Sequence, residues 1–312
     1  PVADLGCGPG GYAPALGSAG HAVVGVDAAR AMLDLAGPSE RRLQADLEAL
    51  PLATGSLGAA WARHAYLHVP PDRLPLALAQ VHRALAVGAP AALSFVDGPD
   101  FVADDELPGR VFFGWHAGDL DDVLAGAGFV DVRVEAGGGT LWATARRGRT
   151  LPDVVGPGMR LLVCGLNPSL VAADAGVGFA SPTNRFWRAA VAAGAVSRPR
   201  DPWRALLHDG VGMTDLVKRA TPRASELDPA EYAAGAARVA RVVERLRPRA
   251  VCFVGLAGWR AAVDRRAVAG WQPAGFAGAP AYVMPSSSGL NARATPDELA
   301  RHLRAALAPP PG

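Results

Sequence analysis

A glycine-rich turn near the start of the sequence has a pattern that suits ligand binding. The stretch "DLGCGPGG" at 4–11 follows an apolar run typical of a buried strand and precedes "YAPALGSAG", which suits a helix. Glycines let a backbone turn tightly and approach a ligand, and the amino end of a helix favours anionic or polar groups. Gly6, Gly8 and Gly11 also fit the spacing G-x-G-x-x-G, so a dinucleotide is one candidate ligand.

Three aspartates around this turn favour S-adenosylmethionine (SAM) over a dinucleotide. Asp4 stands just before the first glycine, where a carboxylate can organise the loop and reach the methionine ammonium. Asp27 ends the second predicted strand, where it can accept both ribose hydroxyls. Asp46 ends what should be a further strand, between "HAVVGVD" and "PAALSFV", near the place of an adenine amino group. In an open α/β sheet these strand ends meet at one edge, so the three carboxylates suit one ligand.

Four polar segments of the second half lie beside predicted strands and helices. They are "GLNPS" at 165–169, "SPTNRFW" at 181–187, "GVGMTDLVKR" at 210–219 and "MPSSSGLNA" at 284–292. An asparagine after a strand, such as Asn167, is by itself an ordinary turn residue. The last segment holds a lone leucine, Leu290, on a small uncharged loop between a strand and a helix. Open α/β sheets place their ligands at such carboxyl ends of strands.

Alternating strand and helix patterns must position these segments. The first half predicts strands at "PVADLGCG", "HAVVGVD", "PAALSFV", "VDVRVEA" and "TLWATARR", with helices at 74–88 and "DLDDVLAGAGF". The second half predicts strands at "MRLLVCG", "AVCFVG" and "AYVMP", and helices at "NRFWRAAVAAGA" and "PAEYAAGAARVARVVERLRP". Thr295, Pro296 and Glu298 form a capping box that opens a last helix through about Leu307. This alternation predicts parallel sheets with helices on both faces, and the late hairpin adds an antiparallel edge.

The sequence therefore predicts an α/β protein of two three-layer α/β/α domains. The first covers residues 1–148 and has a Rossmann-like order that is truncated at its start. The stretch "RRGRTLPDVVGPG" mixes charge, proline and glycine without periodicity, which indicates a linker at 149–157. The second domain covers residues 158–309.

The first half resembles the class I SAM-dependent methyltransferases over nearly all of residues 1–148. The resemblance rests on the glycine turn, the aspartates at strand ends, the segment "VGAPAALSF" and the final hairpin. The sequence lacks the helix that usually precedes the first strand and helps to close the SAM pocket, and it has no motif of the base-modifying methyltransferases. The resemblance implies SAM as cofactor and a small-molecule methyl acceptor that His64 or His68 could serve. It assigns the SAM site to Asp4, Gly6, Gly8, Gly10, Asp27 and Asp46.

The second half resembles the mismatch-specific uracil/thymine DNA glycosylases of the uracil-DNA glycosylase superfamily, from about Pro152 to Leu307. The four polar segments occur in the order of that family, which makes the match specific. The resemblance implies a uracil-DNA glycosylase-like fold and a double-stranded DNA partner with a mismatched or damaged base. It implies no cofactor and no metal. The resemblance implies that Asn167 orients the attacking water and that Leu166, Phe179 and Asn184 form the base pocket. It also implies support from Arg185 and Trp187.

The same resemblance assigns the DNA contact to the serine-rich loop. Such enzymes flip the base out of the duplex, and an apolar wedge fills the gap in the stack. Leu290 is the wedge on this assignment, and the phosphate and base contacts come from Ser286, Ser287, Ser288, Gly289 and Asn291. Asparagine cannot act as a strong general base, so the chemistry must be driven by the leaving group. Lys218 is only weakly placed for the pocket, and the motifs contain no other lysine. The sequence therefore predicts a monofunctional enzyme that leaves an abasic site.

The charge distribution favours a DNA partner for the second half alone. Residues 1–150 hold 11 Arg against 17 Asp and Glu, a net charge of −6, while residues 151–312 have a net charge of +8. A basic half suits a polyanion and an acidic half does not.

The three cysteines show no CxxC pair, which favours reduced thiols and a cytoplasmic protein. The uncharged run at 267–292 contains too many glycines and prolines to span a membrane, no signal peptide is visible, and we expect a monomer.

Three functions remain open from the sequence. The first is a mismatch-specific (G·U/G·T) DNA glycosylase for base-excision repair, fused to a methyltransferase-like domain that is either active or a structural remnant. The second is a SAM-dependent small-molecule methyltransferase whose second half is a passenger or only binds DNA. The third is a DNA-binding protein in which both sites are inactive. The intact motifs around Asn167 favour the first.

Overall fold

Two sets of buried strands divide the chain into two compact units, Pro1–Gly148 and Arg149–Gly312, in a computed structural model. The structure describes residues 1–35, 37, 41–98, 102–103, 110–291 and 294–308. Each unit has its own apolar core. No helix in these described ranges is long and apolar enough to span a membrane.

The first unit is built from strands joined by short helices. Its elements are β1 Val2–Leu5, α1 Ala13–Ser18, β2 Val23–Asp27, α2 Arg30–Leu35, β3 Arg41–Gln44, β4 Ala59–Ala62, α3 Leu74–Ala84, β5 Pro90–Asp97, β6 Val102–Ala103, β7 Val111–Phe112, β8 Gly114–Trp115, α4 Ala117–Gly126, β9 Phe129–Gly137 and β10 Thr140–Arg147.

The main sheet of the first unit has the order β3-β2-β1-β4-β5-β10-β9, with β8 paired to β5. Strands β3, β2, β1, β4 and β5 are parallel, and β9 and β10 form an antiparallel hairpin at the edge. The chain proceeds from β1 to β2 and β3 on one side and then returns to β4 on the other. Right-handed crossovers therefore place helices on opposite faces, and the order reverses at the carboxyl end of β1.

The second unit has a smaller sheet with the same kind of reversal. Its elements are β11 Leu161–Gly165, α5 Leu170–Ala175, α6 Phe186–Ala192, α7 Pro202–Leu207, β12 Val211–Asp215, α8 Pro229–Leu246, β13 Val251–Val254, α9 Leu256–Ala262, β14 Gly270–Phe276, β15 Ala279–Met284 and α10 Pro296–Leu307. The strand order is β12-β11-β13-β15-β14, in which β14 alone of these strands is antiparallel to its neighbour. The predicted α/β class of two layered domains is confirmed.

Sequence signals explain where several helices begin and end. Asp228 and Glu231 form a complete capping box at the start of α8. Thr295 caps α10 by accepting a hydrogen bond from the Glu298 N–H at 3.2 Å. The helix predicted over 74–88 instead ends at Ala84, because Leu85 is extended and its side chain is fully buried in the core. Residues 270–284 of the uncharged run form the β14–β15 hairpin.

Residues 149–157, which we predicted as a linker, belong to the second unit. Val154 exchanges two backbone hydrogen bonds with Met213 of β12, each 2.9 Å long. Leu151 and Val155 are buried, and Asp153 is 2% exposed. The absence of periodicity misled the prediction, because this segment is held by a single bridge and by a buried carboxylate rather than by a regular element.

Candidate functional site

A cavity of about 350 Å³ lies at the carboxyl end of β11, where the chain leaves β11 for β12 on one side and later returns to β13 on the other. Such a reversal leaves a crevice between neighbouring strand ends, and open α/β sheets bind ligands there. Sequence motifs separated by more than 100 residues meet in this cavity. Its lining includes Leu166, Asn167, Phe179, Asn184, Asp215, Ser286, Ser287, Ser288 and Leu290.

The side chain of Asn167 is held in one orientation by its surroundings. Its Nδ2 donates to the carbonyl oxygens of Arg219 at 3.0 Å and Pro168 at 3.2 Å, and to Thr221 Oγ1 at 2.8 Å. Carbonyl oxygens only accept hydrogen bonds, so the amide nitrogen and not the oxygen must face them. The Asn167 Oδ1 is therefore the polar atom left to meet a ligand or a water.

Thr221 completes this arrangement. Its hydroxyl donates to the Arg223 carbonyl oxygen at 2.9 Å, so it must accept from Asn167. Thr221 is 3% exposed, and its N–H donates to the Pro168 carbonyl oxygen at 3.1 Å. The segment after β12 thus clamps the turn that carries Asn167. The sequence did not indicate Thr221, because it follows Asn167 by 54 residues.

Phe179 forms an aromatic wall of the cavity. Its ring stacks on Phe186 with the centroids 4.1 Å apart. Its backbone has φ +57°, a conformation that non-glycine residues adopt at some cost and that clusters at ligand sites. The Trp187 indole N–H donates to the Gly178 carbonyl oxygen at 2.8 Å, which anchors the loop beside Phe179. Trp187 is 5% exposed and packs in the core, where it supports the pocket from behind.

Asp215 places a carboxyl group at the inner end of the cavity. It pairs with Gly165 in the β11–β12 register, and a Cβ on Gly165 would lie 2.3 Å from Asp215 Oδ1 and 3.4 Å from Phe179 Cζ. The carboxyl therefore occupies the space that a side chain at 165 would fill, next to the aromatic wall. Of the described residues on the cavity lining, Asp215 alone has an ionisable side chain.

Burial and a nearby charge cluster set the ionisation of Asp215. Burial raises the pKa of Asp215, and the charge of Asp153 also raises it, whereas Lys218 and Arg238 lower it. Together they raise the pKa of Asp215 to about 6. Asp153 Oδ1 lies 2.9 Å from Lys218 Nζ, and its Oδ2 lies 2.5 Å from Arg238 Nη1. Burial raises the pKa of Asp153, but the two cations outweigh it, and that pKa lies below its usual range. Asp215 is thus a carboxyl that titrates near neutral pH.

The residues 285–291, here called the serine loop, form one rim of the cavity. Leu290 is 97% exposed, although leucine is usually buried. Gly289 packs closely against the 181–185 segment, since a Cβ there would lie 2.5 Å from Thr183 Oγ1. Asn291 Nδ2 donates to the Ser286 carbonyl oxygen at 2.9 Å, so part of this side chain braces the loop.

The structure refines two of the assignments made from sequence. Ser287 is 1% exposed, so its side chain forms part of the cavity wall rather than an open surface. Asn184 Oδ1 accepts a hydrogen bond from the Phe186 N–H at 2.9 Å and thereby helps to begin α6. Gly289 and Asn291 lie on the serine loop but outside the cavity lining.

The first unit has its own cavity, of about 490 Å³, at the reversal after β1. It brings together four residues that the sequence assigned to SAM, namely Gly6, Gly8, Asp27 and Asp46, and both histidines, His64 and His68. Asp4 and Gly10 are not on its lining. Asp4 is 1% exposed and lies within β1.

The glycine turn and Asp27 form a cradle that fits an extended polar ligand. Asp27 accepts hydrogen bonds at 2.8 Å from the N–H groups of Gly8 and Ala29, which fixes the carboxylate. A Cβ on Gly8 would meet no atom within 4 Å, so a ligand can approach this backbone. A Cβ on Gly6, which has φ +66°, would lie 2.4 Å from the Ala65 Cβ. Carboxylate oxygens keep lone pairs for ribose hydroxyls after accepting these bonds, so the residues present fit SAM.

Sequence profiles of known families match both units. The profile of the Uracil DNA glycosylase superfamily matches residues 152–308, which is half of the chain. The chain belongs to the uracil DNA glycosylase superfamily. The profile described as a methyltransferase domain matches residues 3–93. Asn167 and the cavity around it lie in the half of the chain that the glycosylase profile matches.

Solved structures of methyltransferases are also similar to part of this superfamily member. The SAM-dependent methyltransferase from Mesorhizobium loti is 22% identical, with a TM-score of 0.42 over 47% of this chain and 90% of that one. The 1,6-didemethyltoxoflavin-N1-methyltransferase from Burkholderia thailandensis, which was solved with S-adenosylhomocysteine, is 24% identical, with a TM-score of 0.40 over 47% of this chain and 70% of that one.

Proposed function

We propose that the second unit is a monofunctional DNA glycosylase that excises uracil- and thymine-type bases from G·U and G·T mismatches. The observation that carries this proposal is the fixed amide of Asn167 in the lining of a cavity walled by Phe179, with the exposed Leu290 on its rim. Membership of the superfamily supports the reaction class. The preference for mismatches comes from the sequence resemblance.

Each part of the cavity then has a role in handling a flipped nucleotide. A base inside a stacked duplex is out of reach, so it must rotate out into the protein. The ring of Phe179 offers a stacking surface for the flipped base, and the side chain of Leu290 fills the space that it leaves. The serine loop presents small groups that allow the DNA backbone to come close.

The reaction breaks the N-glycosidic bond, and the base leaves with the bonding electrons while a water oxygen bonds to the sugar carbon. Asn167 Oδ1 can accept a hydrogen bond from that water and orient it, but an amide does not take a proton at ordinary pH. The proton of the water therefore passes to solvent or to the departed base. The rate depends mainly on how well the base leaves, and we assign Asp215 to the side of the base because its carboxyl lies near Phe179.

A covalent lyase step does not suit this cavity. Lys218 is the one lysine of the chain. Its Nζ lies 2.9 Å from Asp153 Oδ1, and its side chain is 15% exposed and absent from the cavity lining. A lysine must be neutral and reach the sugar carbon to form a Schiff base, and an ion pair with a buried carboxylate opposes both. The product is therefore an abasic site in an uncut strand.

Strand cleavage of a labelled duplex tests the glycosylase function. Duplexes with a central G·U or G·T pair are incubated with the protein and then treated with alkali, which cuts at abasic sites. We expect cleavage with the wild type and a large loss with Asn167→Ala. Gln272→Ala is the matched control, since it removes an amide from the edge strand β14, outside the cavity lining. Absence of cleavage on every uracil or thymine mismatch would exclude this function.

The wedge is tested separately by binding to a duplex that contains an abasic-site analogue. Leu290→Ala should weaken retention on this duplex, because the gap in the stack is no longer filled. Leu207→Ala is the control, since Leu207 is also exposed, at 62%, but lies on α7. Equal retention by both variants would remove Leu290 from the wedge role.

A second candidate function is SAM-dependent methyl transfer by the first unit. It rests on the cavity that joins the glycine turn, Asp27, Asp46 and the two histidines. Bound SAM would supply the methyl group. Asp27 would hold the ribose, and His64 or His68 would face a small-molecule acceptor.

Calorimetry with SAM tests this second function. Asp27→Ala should abolish the binding signal, whereas Asp34→Ala, which removes a surface carboxylate from α2, should leave it unchanged. Binding of SAM without cleavage of any mismatch duplex would favour a small-molecule methyltransferase whose second unit is a passenger or only binds DNA. Failure of both assays would leave a non-enzymatic DNA-binding protein.

A further inference from the structure

Arg185 binds four backbone carbonyl groups of the segment that contains the serine loop. Its backbone N–H donates to the Ser287 carbonyl oxygen at 3.0 Å. Its guanidinium Nη2 donates to the carbonyl oxygens of Ser288 at 2.7 Å and Asn291 at 2.6 Å, and its Nη1 donates to that of Ala294. Through its side chain, the half-buried Arg185 thus connects the start of α6 to two carbonyl groups of the loop and to Ala294, two residues before α10.

The charge of the Arg185 guanidinium is directed at backbone carbonyl groups. Within the described residues Arg185 has no carboxylate partner. The guanidinium has donors in a rigid fork, so it can fix several carbonyl groups at once. The Ser286 carbonyl is also occupied, by Asn291 Nδ2. The carbonyl oxygens at 286, 287, 288, 291 and 294 therefore all face donors inside the protein, and their negative ends are turned away from solvent.

The loop needs such fixed points because its main apolar side chain contributes nothing to holding it. Leu290 is 97% exposed and gains no burial in the free protein. Ordering a loop costs conformational entropy, and a binding loop that is already ordered avoids that cost when it meets its partner.

We propose that Arg185 is a positioning residue that holds the serine loop in its DNA-binding shape, with Leu290 raised and the carbonyls turned away from the phosphates. This inference rests on the proposed glycosylase function for the identity of the partner. Loss of Arg185 should therefore impair excision from a duplex, where the base must be flipped and Leu290 must fill the gap. It should spare excision from single-stranded DNA, in which the base is already unstacked.

Hydrogen exchange in the free protein tests the hold on the loop without any catalysis. The variants are Arg185→Met and the control Arg188→Met, which removes the same charge from an exposed position on the same helix. We expect the amides of 287–291 to exchange about tenfold faster, or more, in Arg185→Met and at the wild-type rate in Arg188→Met. Equal protection in both variants would overturn the proposal. Arg185→Lys should recover only part of the protection, because one ammonium cannot reach all the carbonyls.

Excision from duplex and single-stranded substrates tests the consequence for DNA. We expect Arg185→Met to lower the ratio of duplex to single-strand excision about tenfold or more, while the Arg188→Met ratio stays at the wild-type value. The preference for an abasic duplex over an undamaged one should fall in the same way, and this ratio needs no catalysis. Unchanged ratios in a variant with a mobile loop would show that Arg185 is only structural. Inactivity of the wild type on both substrates would instead refute the glycosylase function, and the binding ratio would still decide on Arg185.

Discussion

Replacement of Asp215 by asparagine should stabilise the protein at alkaline pH and leave its stability unchanged in acid. Asp215 is buried at the end of β12, and its pKa is raised from 3.8 to about 6. The native state therefore keeps this proton over a range in which the unfolded chain has lost it. Stability from this group is present below about pH 4 and is lost as the pH rises to about 6.

The size of the effect follows from the pKa difference. A change from 3.8 to about 6 corresponds to at most about 3 kcal/mol of unfolding free energy. Asparagine has the same shape and no charge to bury. For a unit of this size, about 3 kcal/mol raises the melting temperature by roughly 6–12 °C. We expect that gain at about pH 8 and none at about pH 4, from thermal unfolding of wild type and Asp215→Asn.

The pH dependence of the excision rate is a second test of the ionisation of Asp215. A negative charge beside the departing base anion opposes bond breakage, so the wild-type single-turnover rate should fall as the pH rises above about 6. The profile of Asp215→Asn should be flat over that range. Asp264→Asn, which changes an exposed carboxylate, should behave as the wild type in both assays. A rate that rises through about pH 6, or stability curves that run parallel from about pH 4 to 8, would refute the reasoning.

Three further substitutions test other contacts. Thr221→Val removes one of three acceptors of the Asn167 amide, and loss of a hydrogen bond costs about 0.5–1.5 kcal/mol, so single-turnover excision should slow about 2- to 13-fold while Thr221→Ser retains the rate. Gly6→Ala would place a Cβ 2.4 Å from that of Ala65 and should abolish SAM binding in calorimetry, with no change in excision. Asp153→Ala leaves two buried cations without their carboxylate and should cost about 3–5 kcal/mol, measured as a lower melting temperature of the second unit. Normal rates, normal binding and an unchanged melting temperature, respectively, would contradict these expectations.

The sequence predicted the elements well where a pattern is local. The apolar run before Asn167 predicted β11, and the proline and glutamate after Thr295 predicted the start of α10. Both signals lie within a few residues of the feature that they specify. The same holds for Asp27, whose place at the end of β2 follows from one apolar strand and one acidic residue.

Residues that act across the fold could not be found in this way. The position of Asp215 over Gly165 depends on the register of two strands that are 50 residues apart in sequence. The hold of Thr221 on Asn167 and that of Arg185 on the serine loop span 54 and about 100 residues. No periodicity encodes these contacts, because each depends on where a turn places one side chain after the sheet has formed. Asp153 was missed for the same reason.

Three cationic side chains near the second cavity are bound by other groups of the protein. Lys218 is paired with Asp153, Arg219 with Glu231 and Arg185 with carbonyl groups. In the part of the chain that the structure describes, none of the residues lining the cavity is basic. In the proposed reaction a departing base anion would meet no fixed positive charge on this lining, and Asp215 would add a negative one whenever it ionises. Such a cavity suits bases that leave readily, and the excess of arginine elsewhere in the unit can attract the DNA backbone without accelerating the bond cleavage.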